Sequence, residues 1–338
     1  MADSPSAHRV VLSSLGADRL TVRRRPRPRA ARPTARSRQE VLHAPAAHTG
    51  RDGVLSGALL AVKDNIDVAG APTTAGTPAL LGHVPRRSSH VWERCARTGG
   101  VLAGKTALHE LAYGTTGQHA LGPAALDPHS PDHLAGGSSS GTASAVAAHL
   151  VPAGLGTDTG GSVRIPAALC GIIGYRPTTG RYPTAGVVRV SLTRYTVGVM
   201  ARSVPGVRLL DGVLAGAPPR PFGARVPHPL RAVLPAPLWA DLDPQVERVC
   251  RVACERLRAA GWYLVEESWS DVVWSDVLRS ATLVPAYETC SALGGYLAEH
   301  PGAPSASEVL RGCEVPLPET ALTPRHSPDT RTKDQPIS

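Results

Sequence analysis

Two segments rich in glycine and serine, residues 136–141 and 156–162, constrain the fold of this chain more than any other feature. Between them, small residues at 142–150 predict a helix and an apolar run at 151–156 predicts a strand. Glycine permits backbone conformations and close approaches that other residues resist. Two such turns around one helix and one strand predict ordered functional loops, because a flexible linker would not be interrupted by regular structure.

Strand and helix signals alternate over most of the chain. Strands are predicted at 54–62, 101–104, 151–156 and 262–266, and helices at 89–97, 106–113, 142–150, 204–215, 244–260 and 286–299. The segment Pro131–Ala135 is a poor strand by composition. The alternation predicts an α/β fold.

The net charge of +9 is concentrated at one end of the chain. Residues 1–40 contain ten arginines against three acidic residues, and prolines interrupt the run. We therefore expect residues 1–50 to form a basic, disordered tail and not a folded nucleic-acid surface. The polar composition of 316–338 predicts a second disordered tail, which leaves 51–315 as the folded domain.

The apolar runs and cysteines indicate the cellular compartment. No run approaches the ~20 apolar residues of a membrane span, and no segment resembles a signal peptide. The six cysteines form no C-x-x-C pair, and Cys250 and Cys254 are expected to pack on one helix face. We therefore expect reduced thiols and a cytoplasmic location.

Lys63 is a candidate base because the chain contains only three lysines, Lys63, Lys105 and Lys333, among 36 basic residues. A buried lysine can lose its proton, whereas arginine cannot. An ion pair of Lys63 with Asp64 or Asp67 explains the sequence equally well at this point.

The Gly136–Gly141 segment is compatible with several motifs. A P-loop is excluded because Thr142 and Ala143 follow the last glycine where lysine and Ser/Thr are required. The G-x-S-x-G frame makes Ser139 the nucleophile of an α/β-hydrolase, although such an elbow requires a preceding buried strand. A Ser-x-x-Lys hydrolase is excluded because no lysine has serine at that spacing.

Several motifs in order resemble the amidase signature family. They are Ala61-Val-Lys-Asp-Asn65, Gly104-Lys-Thr106, Gly136-Gly-Ser-Ser-Ser-Gly141, Gly156-Thr-Asp-Thr-Gly-Gly-Ser-Val-Arg-Ile-Pro166, Cys170-Gly-Ile-Ile-Gly-Tyr-Arg-Pro-Thr178 and Thr196-Val-Gly-Val-Met-Ala-Arg202. The resemblance covers about Leu59 to Ala201. It implies a mixed β-sheet core flanked by α-helices.

The resemblance also implies a catalytic arrangement. Lys63 matches the family's base, Ser138 its bridging serine after a cis peptide bond, and Ser162 its nucleophile. The backbone N–H groups of Thr159, Gly160, Gly161 and Ser162 match the oxyanion hole, while Asp158 and Arg164 are expected to brace the loop and Lys105 to support a strand end.

The chemistry implied by the resemblance is hydrolysis of a small carboxamide through an acyl-enzyme. No cofactor, metal, nucleic acid or membrane is expected to take part, and a homodimer is left open. The histidines of the long loop are expected to be solvated and not metal ligands: His109, His119, His129 and His133.

The sequence departs from the family pattern in places. Arg194-Tyr195 stands just ahead of Thr196, where the family commonly carries an acidic residue, and both ends look short. Three alternatives therefore stay open: an inactive remnant, a noncatalytic binding protein, and a glutaminase subunit of a tRNA-dependent amidotransferase. Within the family, the motifs are most similar to those of small-amide hydrolases such as indoleacetamide hydrolase.

Overall fold

The computed structural model describes residues 41–42, 53–217 and 230–315. Its strands are β1 Val41–Leu42, β2 Leu59–Lys63, β3 Val101–Thr106, β4 Leu126–Asp127, β5 Ser130–Leu134, β6 Ala153–Asp158, β7 Ile173–Tyr175, β8 Thr196–Ala201, β9 Arg231–Pro235 and β10 Tyr263–Glu267. Its α-helices are α1 His90–Arg97, α2 Ser140–Ala147, α3 Arg164–Leu169, α4 Val204–Ala215, α5 Pro244–Ala259, α6 Asp271–Ala298 and α7 Ala306–Arg311. The α/β class expected from the sequence is confirmed.

A mixed six-stranded sheet in the order β1-β3-β2-β6-β8-β7 forms the centre of the fold. Strand β2 runs parallel to both β3 and β6, whereas β8 runs antiparallel to β6 and β7. Because β2, β3 and β6 are parallel, their carboxyl ends meet at one edge of the sheet. Lys63, Thr106 and Asp158 end these three strands.

Helix α2 packs closely on this sheet because its residues are small. All eight are buried. The approach is so close that a Cβ atom on Gly154 of β6 would lie 2.6 Å from Cγ2 of Thr142. The small-residue composition thus brings the start of α2, and the serines ahead of it, against the strand ends.

The helix predicted over 106–113 is wrong. Thr106 completes β3, and only Glu110–Ala112 form a 3-10 turn. Leu111 and Ala112 have positive φ angles of 50° and 62°. The N–H of Leu111 donates to Ala75 O, so tertiary hydrogen bonds replace helical ones here.

Other boundaries also differ from the prediction. The segment Pro131–Ala135 has the composition of a poor strand, yet most of it lies in β5, which pairs antiparallel with β4 in a two-stranded hairpin. Val54–Ala58 belong to a turn before β2. Val41–Leu42, placed in the basic tail, pair with β3. The rest of 1–52 and 316–338, where both tails were predicted, lie outside the described residues.

The chain divides into two compact units. Within the described residues, the first comprises 41–217 with the gap noted above, together with 285–315, and the second comprises 230–284. The first holds the six-stranded sheet. The second contains the parallel pair β9–β10, helix α5 and the beginning of α6. No helix in the described part of the chain is both long enough and apolar enough to cross a membrane.

Leu210 on α4 offers a test of the first unit's core, where it is 0% exposed. We expect Leu210→Ala to lower the free energy of unfolding by ~2–5 kcal/mol, because a buried leucine leaves a cavity when truncated. Urea denaturation gives the value. Leu81→Ala is the matched control, since Leu81 is 60% exposed. Equal losses in the two variants would contradict the assigned packing.

Candidate functional site

Lys63, at the carboxyl end of β2, contacts one hydroxyl group from β6 and one from the loop ahead of α2. Its Nζ lies 2.7 Å from Ser138 Oγ and 2.7 Å from Thr157 Oγ1. All three residues are fully buried. Ser138 and Thr157 lie 75 and 94 positions after Lys63 in the sequence, yet all three side chains meet in one polar cluster.

The ion pair considered for Lys63 is wrong. Asp64 pairs with Lys105 at 2.8 Å, and Asp67 accepts a hydrogen bond from Tyr296 at 2.8 Å. Burial lowers the pKa of Lys63 well below the ordinary value of a lysine, and the charge of Asp158 only partly opposes this effect. The neutral amine, which can accept a proton, is therefore favoured.

The loop ahead of α2 places Ser138 beside the second glycine turn. The Gly137–Ser138 peptide bond is cis, which confirms the expectation. The backbone N–H of Ser139 donates to the backbone O of Ser162 at 3.0 Å. This bond joins the loop that carries Ser138 to the turn that carries Ser162. Ser162 is 8% exposed, and among the described residues its hydroxyl has no hydrogen-bond partner. That hydroxyl is available to a bound molecule.

Ser139, the competing nucleophile, occupies a different environment. Its Oγ accepts from Thr157 N–H and donates to Thr157 O, both at 3.3 Å, and the residue is 0% exposed. The hairpin before it is not a buried strand, since four residues of β5 are exposed. This geometry does not fit a nucleophile elbow.

Asp158 organises the second glycine turn. Its carboxylate accepts from the N–H groups of Gly161 at 2.9 Å and Val163 at 3.2 Å, and both its oxygens accept from the guanidinium of Arg164 at 3.1 Å. Burial alone would raise the pKa of Asp158, but the hydrogen bonds and charge of Arg164 outweigh it, and the pKa is lowered. Asp158 therefore braces the turn as a carboxylate.

The same bonds bear on the oxyanion donors expected from the sequence. The N–H of Gly161 is committed to Asp158. Of the four N–H groups expected to form the oxyanion hole, the other three do not donate to the Asp158 carboxylate: those of Thr159, Gly160 and Ser162.

Lys105 lies at the end of β3, where a supporting residue was expected. Its Nζ donates to Pro72 O at 2.7 Å and Thr73 Oγ1 at 3.0 Å and pairs with Asp64. These contacts tie the strand end to the loop that follows Lys63.

The expectation of solvated histidines is wrong for His109. It is 5% exposed, its backbone N–H donates to Ser138 O at 3.1 Å, and its Nδ1 lies 3.2 Å from Thr116 Oγ1. Burial is the main cause that lowers the pKa of His109 to about 4. His119 is half-buried, whereas His129 and His133 are exposed. Across the described ranges, no three His, Cys, Asp or Glu side chains are grouped so that they could hold a metal ion.

Four residues of the site were missed by sequence reasoning. They are Asn65, Thr157, Arg176 and Tyr195. Arg176 donates to Asp158 Oδ1 at 3.0 Å and to Arg194 O at 2.7 Å. The available signal was their place inside the quoted motifs, and for Tyr195 the departure from the family pattern.

The lowered pKa of Lys63 predicts how the free energy of unfolding depends on pH. The unfolded lysine keeps its proton up to pH ~10.4, while the folded one loses it at lower pH. Between these two pKa values only the unfolded state holds the proton, so wild-type stability rises with pH by up to ~1.4 kcal/mol per unit. We expect the free energy of unfolding of Lys63→Met to lack this rise.

Urea denaturation of both proteins between pH 7 and 10 measures the difference. The two proteins share all other titrating groups. Subtracting the unfolding free energy of Lys63→Met from that of the wild type at each pH therefore isolates the contribution of Lys63. Parallel stability profiles would show that Lys63 stays protonated in the folded protein.

Known proteins are similar to this chain in sequence and in fold. The family model for amidases matches residues 29–280. The chain is 42% identical over 234 residues to an indoleacetamide hydrolase of Pseudomonas syringae pv. syringae, covering 69% of this chain and 52% of that protein. It is 41% identical over 270 residues to a mandelamide hydrolase of Pseudomonas putida, covering 78% and 52%. The chain therefore spans about half the length of these curated relatives.

Solved structures agree with this likeness. The peptide amidase of Stenotrophomonas maltophilia matches with a TM-score of 0.66 at 31% identity, covering 76% of this chain and 57% of that chain. A glutamyl-tRNA(Gln) amidotransferase chain of Thermotoga maritima matches with a TM-score of 0.65 at 24% identity, covering 80% and 60%. At that identity the second likeness concerns the fold alone. Since the family model covers well over half of the sequence, the chain belongs to the amidase signature family.

Proposed function

We propose that this chain carries the catalytic residues of an amidase that hydrolyses small carboxamides. The observation that carries the proposal is the fully buried Lys63 amine, 2.7 Å from Ser138 Oγ, beside the turn that holds Ser162. A buried base next to a hydroxyl, with a second hydroxyl available, is the arrangement required to activate a weak nucleophile.

In the proposed mechanism, protons move along one relay. Neutral Lys63 accepts the proton of Ser138 as Ser138 accepts that of Ser162, and the Ser162 oxygen bonds to the amide carbon. The carbonyl electrons move onto oxygen, where the N–H groups of Thr159, Gly160 and Ser162 stabilise the oxyanion. Collapse breaks the carbon–nitrogen bond, and the proton on Lys63 returns through Ser138 to the leaving amine.

Water completes the cycle. It attacks the acyl-enzyme while the relay takes one of its protons, the ester bond breaks, and that proton returns to Ser162. The product leaves as the carboxylic acid, which ionises in water to the carboxylate. Each step only transfers protons and exchanges acyl groups, so the proposed chemistry requires neither a metal ion nor an organic cofactor.

We propose a primary amide as the substrate, because the relatives at about 40% identity are named for indoleacetamide and mandelamide. Among the described residues no disulfide bond is formed, which supports a reducing compartment such as the cytoplasm. A glutaminase of an amidotransferase complex is the second candidate, but its support is a likeness at 24% identity, which concerns fold alone. Release of ammonia from glutamine, but not from aryl amides, would favour it.

A fluorophosphonate probe tests the nucleophile without knowledge of the substrate. We expect covalent labelling of the Ser162 peptide, identified by mass spectrometry, and a loss on the order of 10³-fold or more in Ser162→Ala and Lys63→Met. Ammonia release from indole-3-acetamide and mandelamide should fall in parallel.

Ser139→Ala is the matched comparison, because it removes the neighbouring hydroxyl that the alternative motif would use. It should keep its label if it remains folded by circular dichroism. Labelling at Ser139, or a folded wild-type protein that stays unlabelled, would overturn the proposal.

A further inference from the structure

The guanidinium of Arg176 contacts the backbone at the beginning of the turn that carries Ser162. Its Nη1 donates to the backbone oxygen of Asp158 and, at 3.0 Å, to Oδ1 of the same residue. Its Nη2 donates to Arg194 O at 2.7 Å and to Thr179 Oγ1 at 3.2 Å. Each hydrogen of the two terminal nitrogens thus has an acceptor. The planar group joins the end of β6 to the segment ahead of β8.

The Arg194 carbonyl is a fixed anchor for this guanidinium. Glu288 of α6 holds the preceding loop, because its carboxylate accepts from the N–H groups of Leu192 at 2.9 Å and Thr193 at 3.2 Å. The same carboxylate accepts from the Ser191 hydroxyl, whose oxygen accepts from the N–H of Arg194 at 3.1 Å. These bonds place the Arg194 carbonyl, and the carbonyl in turn places the guanidinium.

The bond to the Asp158 carbonyl bears on one of the proposed oxyanion donors. This carbonyl and the N–H of Thr159 belong to the same planar peptide unit. The unit is trans, because the one cis bond among the described residues joins Gly137 and Ser138. In a trans peptide the C=O and N–H bonds point in opposite directions, so the direction of the Asp158 carbonyl determines that of the Thr159 N–H. Among the described residues, this N–H has no backbone acceptor.

Strand pairing ends at this peptide. Asp158 is the last residue of β6 and pairs with Thr196, the first residue of β8. Thr159 and Gly160 lie beyond the strand, and Gly160 is exposed. A Cβ atom on Gly160 would meet no heavy atom within 4 Å apart from its chain neighbours. Packing therefore does not restrict the turn at Gly160, and the hydrogen bonds to Asp158 carry that role.

We propose that Arg176 is a positioning residue that fixes the orientation of the Asp158–Thr159 peptide and so directs the N–H of Thr159 toward the oxyanion. Arg164 contacts only the carboxylate oxygens of Asp158, and its side chain is 53% exposed. The Arg176 side chain is 20% exposed and also reaches the Asp158 carbonyl. The inference rests on the proposed function, in which Thr159 is an oxyanion donor.

The test compares Arg176→Ala with Arg181→Ala. Arg181 forms an ion pair with Asp211 at 2.7 Å, away from the Ser162 turn. For Arg176→Ala we expect the plateau rate of fluorophosphonate labelling at high pH to fall about 10- to 100-fold. Complete loss of an oxyanion donor costs ~10²- to 10³-fold in rate, and a peptide that is free to rotate still samples the productive orientation. Arg181→Ala should keep the wild-type rate.

The pH profile separates orientation from charge. If Arg176 acted only by opposing the charge of Asp158, its removal would raise the pKa of Lys63 and move the acid limb of the profile without lowering the plateau. That result would overturn the inference. Turnover of indole-3-acetamide should show a lower kcat with KM within about twofold of the wild type, as expected for an interaction made in the transition state.

Guanidinium rescue distinguishes a missing contact from a misfolded variant. Truncation of Arg176 leaves a space of the size of a guanidinium ion beside the Asp158 and Arg194 carbonyls. Millimolar guanidinium chloride should restore part of the labelling rate of Arg176→Ala, whereas sodium chloride at the same concentration should not. Neither salt should change Arg181→Ala. A lowered rate that guanidinium does not restore would overturn the inference.

The two proposals fail in different ways. A folded wild-type protein that stays unlabelled would refute the proposed function. A labelled wild type with the same plateau rate in Arg176→Ala would refute only the role of Arg176, and would mean that strand pairing alone orients the peptide after Asp158.

Discussion

The burial of one amine is the constraint on which this site depends. A lysine with no exposure is tolerated when it is neutral or well paired, because removing a charge from water is costly. Among the described contacts, the fold provides two hydroxyl groups and no direct carboxylate contact for Lys63. Burial lowers the pKa of Lys63, which is what its proposed role as a base requires. Lys63 ends β2, a strand that lies between β3 and β6 in the sheet. The lowered pKa of Lys63 therefore depends on the packing that buries the side chain.

A second constraint acts on the turn that carries Ser162. Converging backbone N–H groups repel one another and require a nearby negative charge or a bound anion to hold them together. Asp158 supplies that charge from within the turn, and Arg164 and Arg176 prevent it from acting unopposed on Lys63. The carboxylate thus shapes the turn while its effect on the pKa of the buried amine stays smaller than that of burial.

The errors in the predicted elements share one physical cause. The segment after β3 has the composition of a helix, yet its backbone donors bond to Ala75 and Gln118, which the local pattern cannot indicate. His109 looks like a loop histidine in sequence but is buried against the Ser138 loop. In both cases a distant partner supplies more free energy than the local preference. Helix α4 was predicted correctly at 204–215 because a serine cap and a terminal glycine mark its ends locally.

The sequence by itself determined the α/β class, the family and the identity of the candidate residues Lys63, Ser138 and Ser162, because these depend on local periodicity and on motifs in a given order. Only the tertiary structure decided that Lys63 contacts Ser138 rather than Asp64 or Asp67, that Gly161 is bound by Asp158, and that Asn65 donates hydrogen bonds to Thr157 and Tyr195. Those outcomes depend on hydrogen bonds between residues up to 130 positions apart. Their direction and burial are set by packing, which no local pattern encodes.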